Sequence, residues 1–291
     1  MKKRGIKYLF TNANNESIEF SDNSKIFIKS VSDLTTNDVN ISEASATNQI
    51  GSNITGRSIQ SKQITIDGIF KYDTNIRKRL LAVILPGIAA KFRYVNEYEG
   101  IDVYWNVEVS KSPIISDSSA WQNFQFSLRT GYPYARSNDA QFIDFNVLKP
   151  LFRFSQSYSS ARPFKISSRT FQPLKTIFYK GLVSTGFKAT FKALSNDIRA
   201  PYIMNVDTQE KIKFGSLTLS EGDVIEVSTF TNDVYCKLLR HNQESNIYAD
   251  SDYNSTFFKF NPGDNVIRYG ADSNEQNLEV RIEFEDVYPG V

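Results

Sequence analysis

The chain has 291 residues, 40% hydrophobic and 23% charged, with 34 Lys and Arg set against 32 Asp and Glu for a net charge of +2. Those values argue against a disordered or membrane class, and the balanced charge leaves no basic footprint for a nucleic-acid groove. The length suits two domains, and 22 Phe and 15 Tyr beside only 2 Trp and 2 Met suit the half-buried surfaces of sheets.

The N-terminal MKKRGIKYLF is basic at Lys2, Lys3 and Arg4, which read as a solvated end. It runs into polar TNANNES instead of an apolar segment, so no secretory signal is expected and synthesis is assigned to a cytoplasm. Short runs of period two follow: IKYLF, SIEF, KIFIKSV, SIQSKQITIDGIF, AKFRYV, IDVYWNVEV and NFQFSLR. Among them the spacing predicts one helix from about Asp73 to Leu85. Asp73 or Thr74 caps it, Ile76, Leu80, Val83 and Ile84 form its apolar stripe, and Pro86-Gly87 stops it.

Between Val31 and Ile59 the pattern gives way to a long polar stretch rich in Ser, Thr and Asn. A loop of that length inside a compact domain is either functional or idle surface. Its isolated apolar residues, Leu34, Val39, Ile41, Ile50 and Ile54, are too widely spaced for a helix face and suit an extended arm laid across something else.

Residues 138–162 show a composition shift without clear period, including SQSYSSAR, and read as a connection between a domain at 1–137 and another at 163–291. The second half carries about ten short runs with turns every 8 to 12 residues. The clearest, LEVRIEFEDVY, places Leu278, Val280, Ile282 and Phe284 on one face and charged residues on the other. This pattern predicts an antiparallel β-sandwich or jelly roll. FFKFNPGDNVIRY, with Pro262-Gly263 at its centre, could serve as a ligand loop, a metal loop or a hairpin, and its residues read best as a hairpin.

Chemistry is hard to find. His241 is the single histidine and Cys236 the single cysteine, five residues apart, where strand alternation points them to opposite faces. Cys236 reads as a small core residue and His241 as a turn residue. No Cys pair exists for a disulfide or a zinc site, and no glycine-rich phosphate loop or nucleophile elbow is present. The carboxylates Glu97 with Glu99, and Glu283, Glu285 with Asp286, fall at solvent-facing strand positions. No enzyme activity, cofactor or metal is expected, which leaves a structural or binding role.

The ordered set QIGSNITGRSIQSKQITIDGIF, RKRLLAVILPG and AKFRYVNEYEGIDVYWNVEVSKSPIISDSSAWQNFQFSLRTGYPY resembles the N-terminal ring domain of the siphophage distal tail proteins. LSEGDVIEVST, STFFKFNPGDNVIRY and LEVRIEFEDVYPGV follow in the order of that family's C-terminal domain, so the resemblance covers nearly the whole chain. It implies a mainly β protein: an N-terminal sandwich or barrel-like ring domain with one helix, then a galectin-like antiparallel sandwich. It further implies a hexameric ring in the virion at the distal end of the tail, partnered by the tail tube protein and by tail-tip or receptor-binding proteins. In that family a belt from the N-terminal domain embraces the neighbouring subunit, and residues 31–59, with Leu34, Val39, Ile41, Ile50 and Ile54 as anchors, are its counterpart here. The alternative is a host-surface carbohydrate-binding tail protein, although both Trp105 and Trp121 lie in the N-terminal half, away from the sandwich that would need an aromatic platform.

Overall fold

The computed structural model describes residues 5–21, 23–116, 120–151 and 167–291. Lys2, Lys3 and Arg4, and the SQSYSSAR run, lie outside them. In chain order the first strands are β1 (Ile6–Asn12), β2 (Ser17–Ser21), β3 (Ile26–Val31), β4 (Val39–Ala44), β5 (Asn53–Ile59) and β6 (Lys62–Lys71). Helix α1 (Thr74–Val83) follows, then β7 (Ala89–Asn96), β8 (Ile101–Ile115), β9 (Trp121–Thr130) and β10 (Ala135–Ser137). Next come β11 (Gln141–Asp144), β12 (Val147–Pro150), β13 (Ser167–Thr170), β14 (Leu174–Tyr179), β15 (Phe187–Ala193), β16 (Ile198–Arg199) and β17 (Tyr202–Asn205). The last strands are β18 (Lys211–Lys213), β19 (Thr218–Leu219), β20 (Val224–Phe230), β21 (Asp233–Arg240), β22 (Gln243–Asn246), β23 (Gly263–Gly270), β24 (Leu278–Phe284) and β25 (Val287–Tyr288). Pairing among the described strands is antiparallel, and much of it joins strands distant in sequence, such as β6 with β9 and β15 with β24.

The chain divides into two compact units, Met1–Asp139 with Val287–Val291, and Ala140–Asp286. The expected connection at 138–162 therefore needs correction at its start. Gln141–Asp144 is an edge strand of the second unit, pairing residue by residue with β24. A strand that short shows too few alternations to stand out from its surroundings.

In the first unit the sheet runs β2-β1-β7-β8-β9-β6-β3. The long β8 serves three neighbours. Its first half pairs with β7 and, at Val103 and Tyr104, with β10; its second half passes through register shifts and pairs with β9. Such bulges increase local twist and let one strand roll a sheet. The rolled sheet closes over an aromatic core of Phe10, Phe20, Phe70, Phe92, Trp105, Phe124 and Phe126. Gly68 takes an inward position on β6 because a Cβ there would stand 2.2 Å from the Phe124 ring. Helix α1 begins where Asp73 accepts from the Asn75 and Ile76 amides, and it buries Leu80 and Val83.

The second unit is a sandwich. A six-stranded sheet, β11-β24-β15-β20-β21-β22, faces a four-stranded sheet, β14-β23-β17-β18. Phe187, Phe191, Val227, Leu278 and Phe284 from the first meet Ile177, Tyr179, Ile203, Ile267 and Tyr269 from the second in one core. Alternation on β24 buries Leu278, Val280, Ile282 and Phe284, as its sequence pattern predicts. Cys236 is buried in this core, and His241 sits with Asn242 in the β21–β22 turn, both at positive φ as a two-residue I′ hairpin requires.

The Pro262-Gly263 stretch makes its turn but not the expected hairpin. Phe260 bridges to Thr185, whereas β23 pairs with β14 and β17, so the two flanks serve different partners. Gly263 supplies φ of +97°, and the buried Asn265 side chain donates to the carbonyls of Asn261 and Gly263 while accepting from the Asn261 amide. The turn is a crossover held by Asn265. Phe258 and Phe260 leave it for the core, where their size outweighs any local tendency to pair with β23.

Candidate functional site

Within residues 31–59, β4 and β5 form an antiparallel hairpin that, among the described residues, pairs with no other strand. Its root is tied to the first unit at several points. Ser32 N–H donates to Thr65 O at 2.9 Å, and Gln60 N–H donates to Asp38 O at 2.9 Å. Lys62, only 6% exposed, reaches Leu34 O at 3.5 Å and stands over the Trp105 ring at 5.8 Å. Burial lowers its pKa, and Asp33 and Asp38 work against that shift. The Asn37 side chain donates to Pro289 O, and Gly290 lies so close that a Cβ there would meet Thr35 O at 2.6 Å. The root is thus clasped between β6 and the last residues of the chain.

Beyond the root the hairpin is exposed along its length. Val39 faces Ile59, Ile41 faces Arg57, and Ser42 faces Gly56; the register then slips, and Glu43 faces Ile54. Thr55 is the extra residue, and its hydroxyl donates to Ser42 O at 3.1 Å. Cross-strand partners share a face, so the bulge carries Ile54 onto the side that holds Val39, Ile41 and Ile59. The opposite side holds Asn40, Ser42, Gly56 and Ser58. Val39, Ile41, Ile54 and Ile59 are 48–52% exposed, forming an apolar face that no other described residue covers.

The structure therefore brings together three of the five expected anchors, Val39, Ile41 and Ile54. Leu34 instead packs against the core at the root, and Ile50 lies fully exposed in the connection between the strands. Ile59 belongs to the face but is hidden in the sequence by its position at the start of the longer strand-like run SIQSKQITIDGIF. A signal was present: Val39 with Ile41, and Arg57 with Ile59, each alternate at period two.

Elsewhere the residues considered for chemistry have ordinary structural roles. Glu97 pairs with Lys7 at 2.5 Å, Glu99 accepts from Asn96 at 2.9 Å, and buried Asp286 accepts from Gln141 at 2.9 Å. Trp105 is buried and donates to Pro133 O at 3.1 Å. Among the described residues no three His, Cys, Asp or Glu side chains gather as a metal site, and no helix is long and apolar enough to cross a membrane.

Residues 180–288 match the family described as the siphovirus-type tail component, C-terminal domain. They thus have the pattern of that family's C-terminal domain. Solved structures extend the likeness to the fold of the whole chain. The Dit protein of phage SPP1, described as a paradigm of the hub adsorption apparatus in phages infecting Gram-positive hosts, aligns with a TM-score of 0.64 at 9% identity, covering 96% of this chain and 98% of that one. A chain of the phage P2 baseplate in its calcium-activated conformation aligns with a TM-score of 0.53 at 12% identity, covering 98% and 99%. No curated protein sequence matches. The matched C-terminal domain and the shared, mainly β fold bear out the distal tail protein resemblance.

Proposed function

We propose that this chain closes a ring of six copies at the distal end of the tail, joining the tail tube to the tail-tip or baseplate proteins, with the arm as the belt that grips the next subunit. The observation that carries this reading is the uncovered apolar face of the arm. A lone two-stranded hairpin is at best marginally stable in water, and one with an exposed row of branched aliphatic residues is an association surface. A head-to-tail ring needs each subunit to present two different complementary surfaces, and a projecting arm supplies one of them without enlarging the domain. The galectin-like sandwich would then sit at the ring's periphery, available to receptor-binding partners, and the role is mechanical with no catalytic step.

Replacing residues 40–55 with a Gly-Ser linker tests the belt. The root contacts at Ser32, Leu34, Asn37 and Lys62 remain, so the chain should stay folded by circular dichroism and become monomeric by light scattering. Assembly at the parent's concentration would count against the belt.

A further inference from the structure

A ring held by belts requires a seat for the belt, and the first unit carries an unassigned concavity suited to it. It is an open trough of about 770 Å³ across the outer surface of the sheet, spanning the ends of β1, β7, β8 and β9. Small residues make its floor: Ala13, Ala89, Ala90 and Gly131, and a methyl added at Gly131 would meet nothing within 4 Å. Three charged residues line it: Lys91, whose ammonium donates to Asn138 Oδ1 at 3.0 Å, and, side by side, Glu108 and Arg129. Glu108 pairs in register with Ala89 on one side and with Arg129 on the other, so the three form one rung across the sheet. Among the described residues Glu108 makes no ion pair, and Arg129 is held only by a 3.0 Å donation to Ser61 Oγ.

The apolar face of the arm has the matching pattern. Beside its four aliphatic side chains it carries Arg57, opposite Ile41, and Glu43, opposite Ile54. Branched side chains need a floor of small residues to approach a sheet closely, and a positive and a negative group on one surface meet a negative and a positive group on the other. We infer that the trough of one subunit receives the apolar face of a second copy's arm, with Arg57 against Glu108 and Glu43 against Arg129. This inference rests on the belt reading above and supplies the second of the two surfaces that a heterologous interface needs.

Charge exchange in the full chain tests it. Arg57→Glu and Glu108→Arg each place like charges together, and each should raise the concentration for half-assembly, read by light scattering, at least about tenfold, a change of roughly 1.4 kcal/mol. The double variant restores opposite charges and should return to within about threefold of the parent. Both single variants lie at exposed positions and should keep the parent's thermal melt. Singles that assemble like the parent, or a double no better than the worse single, would overturn the inference. Should the linker replacement abolish assembly while these variants do not, the belt stands but its seat lies elsewhere; should neither matter, the belt reading itself fails. Independently of assembly in solution, mixing chains carrying Arg57→Cys with chains carrying Glu108→Cys under oxidation should trap a covalent heterodimer, and failure to trap one counts against the seat.

Discussion

Ile54 stands opposite Glu43 across the arm because Thr55 is left out of register after the pair Ser42 with Gly56. Without that extra residue, strict alternation from Ile59 would send Ile54 to the polar side with Gly56 and Ser58. The bulge is therefore what makes the hairpin amphipathic, and it ties a local register shift to a candidate assembly surface.

The double variant Ile41→Ser with Ile59→Ser separates assembly from folding. Both side chains are about half exposed, so the fold should lose little, with the thermal midpoint of the first unit moving by no more than a few degrees. Completing the burial of each at an interface contributes roughly 1 kcal/mol, so the pair should weaken association about thirtyfold. Concentration-dependent light scattering beside a thermal melt measures both quantities on one sample.

In the second unit, Asp223 and Arg240 hold the turn that leads into β20. Arg240 Nε and Nη2 both donate to Asp223 Oδ2, at 2.9 and 2.6 Å, and the Ser220 amide adds a third bond at 2.8 Å. Burial alone would raise the Asp223 pKa, but the Arg240 guanidinium and the Ser220 N–H outweigh it and hold the carboxyl below its usual value. A lowered pKa in the folded state means that this stabilisation is present above the unfolded value near pH 4 and is lost as pH falls through the folded value. Asp223→Asn should cost about 1–3 kcal/mol at neutral pH and flatten the acid limb of the stability profile, measured by urea titration at successive pH values.

Cys236 gives the opposite sign. Burial pushes its thiol up to about 12, so the folded chain keeps a proton that the unfolded chain releases above roughly pH 8.5. Its contribution is complete below that pH and is lost as pH rises toward 12, at about 1.4 kcal/mol per unit. Cys236→Ala should remove this slope from the alkaline limb. A thiol reagent at pH 8 should leave the native chain unlabelled and react fully once denaturant is added.

Gly186 tests the packing of the sandwich. A Cβ at this position would stand 2.4 Å from both the Phe230 Cα and the Thr229 carbonyl oxygen, and backbone cannot swing aside as a flexible side chain can. The same corner carries the bond from Phe187 N–H to the buried Thr229 hydroxyl at 2.9 Å. Gly186→Ala should destabilise the second unit by about 1–3 kcal/mol through strain, with the first unit's transition unchanged in a two-transition melt.

Where one face of an element is dry and the other wet, the sequence pattern was enough to place it. The four inward residues of β24 and the Asp73-capped helix are written in side-chain polarity. Features set by distant partners were not legible. The crossover at Pro262-Gly263 depends on Phe260 finding Thr185 and on β23 finding β14 and β17, and nothing in FFKFNPGDNVIRY names those partners. The arm was visible as a break in pattern, yet its apolar face was not, because a single bulge residue changes the parity of Ile54. Leu34 shows the same limit: an isolated leucine in a polar stretch reads alike whether it belongs to the belt or to the root beneath it.

The proposed role depends on head-to-tail assembly through the arm. The most direct measurement is the mass of the purified full chain by light scattering across a dilution series. A species of six copies should appear, dissociate to monomers on dilution and be absent when residues 40–55 are replaced. A closed dimer that survives that replacement would contradict head-to-tail assembly.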